Sequence, residues 1–139
     1  MEIKFTLSDV AVQIPYKATK GSAGYDVSSN EERLIRPGDI VKISTGISLE
    51  LPSNTYAMLL GRSGLATQGI WIHNGVIDNY YRGVVSFVVG NIGRNSVQIR
   101  KGMGIGQLIL MPILPTTYTM VQTLSASQRN VNGFGSTGY

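Results

Sequence analysis

The sequence predicts an all-β domain of the sandwich, jelly-roll or barrel type. Three observations carry that prediction. Apolar residues alternate with polar ones or form short runs, turn residues interrupt them at short intervals, and no stretch keeps a 3.6-residue period over a useful length. A chain of 139 residues, 42% hydrophobic and 14% charged, suits one compact domain with a real core. Its 17 glycines and five prolines are too dispersed for a linker and match a protein built on tight turns.

Taken in order, strands are expected at Ile3–Leu7, Val10–Ile14, Tyr25–Ser28, Arg33–Ile35, Ile40–Ser44, Ile47–Leu51 and Tyr56–Leu60. Further strands are expected at Gly69–His73, Gly75–Asp78, Val84–Gly90, Val97–Ile99, Gln107–Leu110 and Tyr118–Gln122. Pro37-Gly38-Asp39 and Pro52-Ser53-Asn54 are turns, because proline presets φ while glycine or asparagine takes the unusual angles. Only Ser63–Gln68 can form a helical turn. Trp71 and His73 alternate with isoleucines, so Trp71 is expected to pack and His73 to sit partly exposed at a strand or turn. The body, residues 1–128, reads as a single domain, and 129–139 as a glycine-rich arm that composition alone calls disordered.

Composition also excludes functions. Without cysteine there is no disulfide framework and no thiolate metal site, and a single histidine, His73, argues against zinc. The net charge of +4 favours anionic ligands, but the basic residues form no run or aromatic-interleaved stripe, so direct nucleic-acid binding is not expected. Met1-Glu2-Ile3-Lys4 leads into alternation rather than a secretory core, and Ile105–Leu114 is far short of a membrane span. A soluble, intracellular protein without membrane contact is expected.

Four stretches carry chemistry. In Gly61-Arg62-Ser63-Gly64 an apolar strand ends in a guanidinium fork, a hydroxyl and an exposed backbone N–H, donors suited to phosphate oxygens. It is no Walker loop, since the Gly-Lys-Ser/Thr ending is absent. In Gly75-Val76-Ile77-Asp78-Asn79-Tyr80-Tyr81-Arg82-Gly83 a lone carboxylate follows a short strand. Either this is a plain hairpin with an acidic turn, or Asp78 is a general base working on a metal-bound phosphate ester. Gln107 reads either as a strand-end side chain bonded to backbone or as a ligand. The tail offers Arg129, Phe134, Gly135, Ser136 and Thr137, the parts needed to close over a nucleotide.

Together with Ser22-Ala23-Gly24-Tyr25-Asp26 and Gly106-Gln107-Leu108, these stretches stand in the order and spacing of the five motifs of the dUTPase family, which the chain resembles from Pro15 to Gly138. The resemblance implies a distorted jelly-roll or barrel, assembled as a homotrimer with shared active sites. It implies hydrolysis of dUTP to dUMP and pyrophosphate with Mg²⁺, which limits uracil incorporation into DNA and supplies dUMP. By resemblance Asp78 activates water for attack on the α-phosphorus, and Gln107 contacts the α-phosphate or that water. Arg62, Ser63 and Gly64 meet the phosphates, and Asp26 approaches the metal through water. Tyr81 packs beneath deoxyribose, the hairpin backbone about Gly75 and Ile77 reads uracil, and the arm closes with Arg129, Ser136 and Thr137 on the terminal phosphates and Phe134-Gly135 at the base. Tyr80, Met103, Gly104, Gly106 and Asn130 depart from the usual motifs. Tyr80, Met103, Gly104 and Asn130 feed an alternative, a non-catalytic regulatory or interaction protein with a degenerate site; a plain β-sandwich binding module would have no reason to combine all five motifs. In the related dCTP deaminases a catalytic glutamate occupies the position of Val88, and valine cannot shuttle protons. The relaxed fourth motif resembles viral members, for which virion association is the alternative to cytoplasm or nucleus.

Overall fold

The computed structural model describes residues 1–135 and 137–138 of the chain. The elements are β1 (Lys4–Leu7), β2 (Tyr25–Ser28), β3 (Arg33–Ile35), β4 (Ile40–Glu50), β5 (Thr55–Gly61), α1 (Ser63–Ala66), β6 (Ile70–Ile72), β7 (Gly75–Asp78), β8 (Val84–Asn91), β9 (Val97–Ile99) and β10 (Gly104–Pro112). All strand pairings are antiparallel, in sheets ordered β1-β4-β8-β6, β2-β10-β5-β7 and β3-β9. The predicted all-β, jelly-roll-like class is what the chain adopts.

The period of two explains the core. Along β5, Thr55, Ala57 and Leu59 are buried, and along β8 so are Val85, Phe87 and Val89. Ile43 and Phe87 of the first sheet join Ala57, Leu59 and Leu108 of the second in one apolar cluster. Two buried polar side chains are bonded across the fold: the Thr45 hydroxyl donates to the Val85 carbonyl at 2.7 Å, and the Asn91 amide donates to the Ile35 and Asn95 carbonyls.

Three expectations need correction. Ile40–Ser44 and Ile47–Leu51 are one strand, β4, whose pairing with β8 shifts register between Ser44 and Ser48, where Gly46 has a φ of 70°. Val10–Ile14 is not a strand, because the Asp9 carboxylate accepts the Ala11 N–H at 2.8 Å and the Asp9 carbonyl accepts that of Val12. That local turn wins over alternation, and the Ala11 bond also holds the Asp9 carboxyl below its ordinary pKa. Tyr118–Gln122 alternates as a strand should, yet no strand pairs with it among the described residues, and Tyr118 and Met120 are fully exposed.

A bulge in β10 sets the fit between the sheets. Gly104 pairs with Ser28 but Gly106 with Val27, leaving Ile105 as the extra, buried residue. A Cβ on Gly106 would overlap the ring of buried Phe87 and stand 2.7 Å from the Leu60 carbonyl oxygen. Neither obstacle can move without disturbing a sheet. Gly106→Ala is therefore expected to cost about 1–3 kcal/mol of stability. The check is the urea midpoint at fixed protein concentration; an unmoved midpoint would mean that Phe87 gives way freely.

Candidate active site

The register of three adjacent strands builds one cleft. On β2 and β10, Asp26 and Gln107 are direct partners, and Gln107 also faces Leu60 on β5. Cross-strand partners project to the same side of a sheet, so the carboxylate and the amide stand together. At Gly61, opposite Gly106, β5 ends; Arg62 keeps an extended backbone (φ −109°, ψ 141°) and α1 begins. The first N–H groups of a helical turn have no partner within it, and Ser63 and Gly64, which begin this one, are exposed. Thr67 and Gln68 side chains both donate to the Gly64 carbonyl, at 2.9 and 3.2 Å, and fix the turn. The result is a cleft of about 470 Å³ lined by Asp26, Arg62, Ser63, Gly64 and Gln107, with Met103 and Gly104 at its wall.

The hairpin forms a second cleft of about 260 Å³, lined by Val76, Ile77, Asp78, Tyr81, Ser86 and Lys42. β7 is the outermost strand of its sheet and is bonded only to β5, so its far edge carries unpaired main-chain groups. After it the Tyr81 N–H donates to the Asp78 carbonyl at 3.1 Å, closing a turn that Arg82 clamps by donating to Asn79 O at 2.6 Å. Asp78 is exposed, and the Tyr81 ring folds back over Gly83. The bulky Tyr80 points to solvent, 76% exposed, so the turn accommodates it.

These clefts do not meet within one chain. Asp78 pairs with Tyr56, whereas the phosphate-type turn leaves β5 at Gly61, five residues further along. At about 3.4 Å per residue that is roughly 17 Å. The pairing of β7 with β5 thus keeps Asp78 apart from the Ser63-Gly64 turn within one subunit. No described residue of the tail lines either cleft. Residues 113–135 are exposed, and Arg129 is turned onto its own segment, donating to the Asn132 and Gly133 carbonyls at 2.6 and 3.0 Å. Phe134, Gly135 and Thr137 are exposed beyond it, and Ser136 lies outside the described residues. Asn130, where the resemblance has glycine, sits at φ 48°, the left-handed region that asparagine tolerates best after glycine.

Reading the chain alone misses Lys42 and Ser86 in the hairpin cleft, since only the register of β4 with β8 brings them there. Trp71, expected to pack, is 49% exposed and lies beside Gly90, its ring 5.9 Å from that of His73. His73 is exposed just past β6, as expected. No group of three metal-ligating side chains occurs among the described residues. No described helix is long and apolar enough to cross a membrane.

Anion donors in one cleft and an acid and a tyrosine beside an open strand edge in the other define an all-β enzyme acting on a nucleotide. The chain belongs to the dUTPase family, whose model matches residues 11–138. It is 44% identical to the deoxyuridine 5'-triphosphate nucleotidohydrolase of Trichodesmium erythraeum over 99% of each chain. With that of Clostridium tetani it shares 42% identity, over 98% of this chain and 96% of the relative. Its fold matches the Staphylococcus bacteriophage 80alpha dUTPase with dUpNHpp at a TM-score of 0.93 and 25% identity, covering 99% of both chains. A mutant dUTPase of phage phi11 of S. aureus, in which a structural Mg(II) ion is coordinated, shares the fold at a TM-score of 0.83 and 21% identity, over 88% of this chain and 98% of that one.

Proposed function

We infer that the chain hydrolyses dUTP to dUMP and pyrophosphate, at sites shared between copies of a homotrimer. The observation that carries this reading is the hairpin, where a carboxylate and a tyrosine adjoin an unpaired strand edge. That edge offers main-chain groups about Gly75 and Ile77 to the N3–H and carbonyls of uracil, as a neighbouring strand would. Cytosine presents the reverse pattern at N3 and C4, and a site left with unpaired polar groups rejects it. Tyr81, which lines the same cleft, is assigned the place beneath the deoxyribose, where a ribose 2′-hydroxyl would collide with it.

The separation of the clefts supports the shared site: the hairpin of one copy needs the Arg62, Ser63, Gly64 and Gln107 of another. With them in place Asp78 takes a proton from water, the oxygen attacks the α-phosphorus, and the bond to the bridging α,β oxygen breaks. Pyrophosphate leaves and dUMP keeps the new oxygen. Ser63 and Gly64 hold the α- and β-phosphates, and Gln107 orients the α-phosphate or the water. Arg129, Ser136 and Thr137 of the arm, 129–139, close on the terminal phosphates, and Phe134 with Gly135 covers the base.

The residues fit Mg²⁺ as a companion of the triphosphate, not as a caged ion: half-buried Asp26 supplies one carboxylate to the phosphate cleft. Asp26 would hold the ion through water, and the ion would neutralise phosphate charge. The chemistry of the site suits an intracellular nucleotide pool and needs neither nucleic acid nor membrane.

The test is pyrophosphate release from dUTP, dCTP, dTTP and UTP, measured side by side for the wild type and Tyr81→Ala. The wild type should turn over dUTP alone at high kcat/KM, and Tyr81→Ala should narrow the gap between dUTP and UTP by about tenfold or more. Comparable wild-type rates on all four would overturn the reading. An unaltered dUTP:UTP ratio in the variant would remove Tyr81 from sugar selection.

A further inference from the structure

Gly104 and Gly106 flank one bulge, yet what lies over each differs. Over Gly106 stand the buried Phe87 ring and the Leu60 backbone, whereas a Cβ on Gly104 would overlap Nη1 of Arg62 and come 3.3 Å from its Cζ. The same nitrogen donates to the Gly104 carbonyl at 3.3 Å, the one hydrogen bond of this guanidinium among the described residues. Neither ion pair among the described residues involves Arg62. Its position in the cleft beside Ser63 and Gly64 therefore depends on bare strand backbone beneath it.

We propose that Gly104 is a positioning residue for the substrate's phosphates, its missing side chain forming the seat on which the Arg62 guanidinium lies. This rests on the reading of that cleft as the phosphate side. Gly104 does not have a positive φ, so alanine meets no backbone strain there. The obstacle to a methyl group is the free end of a flexible side chain, which swings away at little cost to folding. What is lost is the preset direction of a fork whose planar donors bind phosphate only when aimed. The same absence of a side chain leaves the cleft wall at Met103-Gly104 open to a phosphate oxygen shared between Arg62 and the Ser63 turn.

The experiment is a four-protein cycle of wild type, Gly104→Ala, Arg62→Ala and the double variant, each assayed with dUTP and melted at equal concentration. Gly104→Ala should raise KM for dUTP by about fivefold or more while kcat stays within about twofold, as for a lost ground-state contact. Its melting midpoint should stay within about 2 °C of the wild type, in contrast to Gly106→Ala. Arg62→Ala should raise KM at least as much, and Gly104→Ala should add nothing in that background, because two residues acting through one contact are not additive. A wild-type KM for Gly104→Ala, or effects that multiply in the double variant, would overturn the proposal while leaving the phosphate cleft standing. An unchanged KM for Arg62→Ala would instead remove Arg62 from phosphate binding, and both readings of the cleft would fall together.

Discussion

Asp78→Asn is expected to lose roughly 10²–10⁴ in kcat while dUTP binding is largely kept. The substitution is nearly isosteric, and asparagine has the same turn tolerance as aspartate. The turn itself is held by the Asp78 carbonyl, which accepts the Tyr81 N–H, and by Arg82 on the Asn79 carbonyl, none of which involves the Asp78 side chain. Asp78 is exposed and belongs to neither ion pair among the described residues, so its removal leaves no buried charge behind. The loss should therefore be of proton transfer alone. Steady-state kinetics and calorimetric titration with a non-hydrolysable dUTP analogue separate the two effects. Hydrolysis by the wild type in oxygen-18 water should place label in dUMP. Unchanged turnover in Asp78→Asn would dismiss it as the base, and label found only in pyrophosphate would reject attack at the α-phosphorus.

Much of the fold was legible because its strands obey local rules. β2, β3, β7 and β9 have the predicted bounds, each being a short segment with at least one β-branched residue near a turn. Where prediction failed, a local bond or a missing partner decided. Asp9 captured the backbone N–H groups of Ala11 and Val12, and Tyr118–Gln122 has the pattern of a strand without a neighbour among the described residues. The members of the candidate site were legible too, since phosphate donors and a carboxylate at a turn announce themselves by type. Their arrangement was not. Arg62 and Asp78 are 16 residues apart in sequence, and that spacing alone does not set their distance in the fold. Between them the chain crosses to the other sheet as β6, beside β8, and returns as β7, antiparallel to β5. It re-enters opposite Leu59 and reaches Asp78 only at Tyr56, at the far end from Gly61. Periodicity cannot report such a reversal, because it depends on which strand is the neighbour.

Mixed oligomers offer the sharpest outcome of that separation. Asp78→Asn disables the hairpin cleft, and a double variant, Arg62→Ala with Gln107→Ala, disables the phosphate cleft. Alone, each should be nearly inactive. Unfolded together and refolded at equal ratio, they should regain activity, because a site drawn from two copies can pair the intact Asp78 of one with the intact Arg62 and Gln107 of the other. Random assortment in a closed symmetric oligomer leaves about a quarter of such sites whole, so activity should climb to about a quarter of wild type. It should fall off on either side of equal mixing. A site completed within one subunit forbids any rescue, since every copy then lacks either the base or the phosphate donors. Native mass spectrometry must first establish that mixed species are present. Given them, absence of activity at every ratio would reject the shared site. A second mixture, of Asp78→Asn with a chain ending at Gln128, asks the same of the arm: Arg129 lies on its own segment, clear of both clefts of its own subunit. Recovery there would show that the tail, too, serves a neighbour, the entropy of ordering it being offset only when a nucleotide supplies phosphate and stacking contacts.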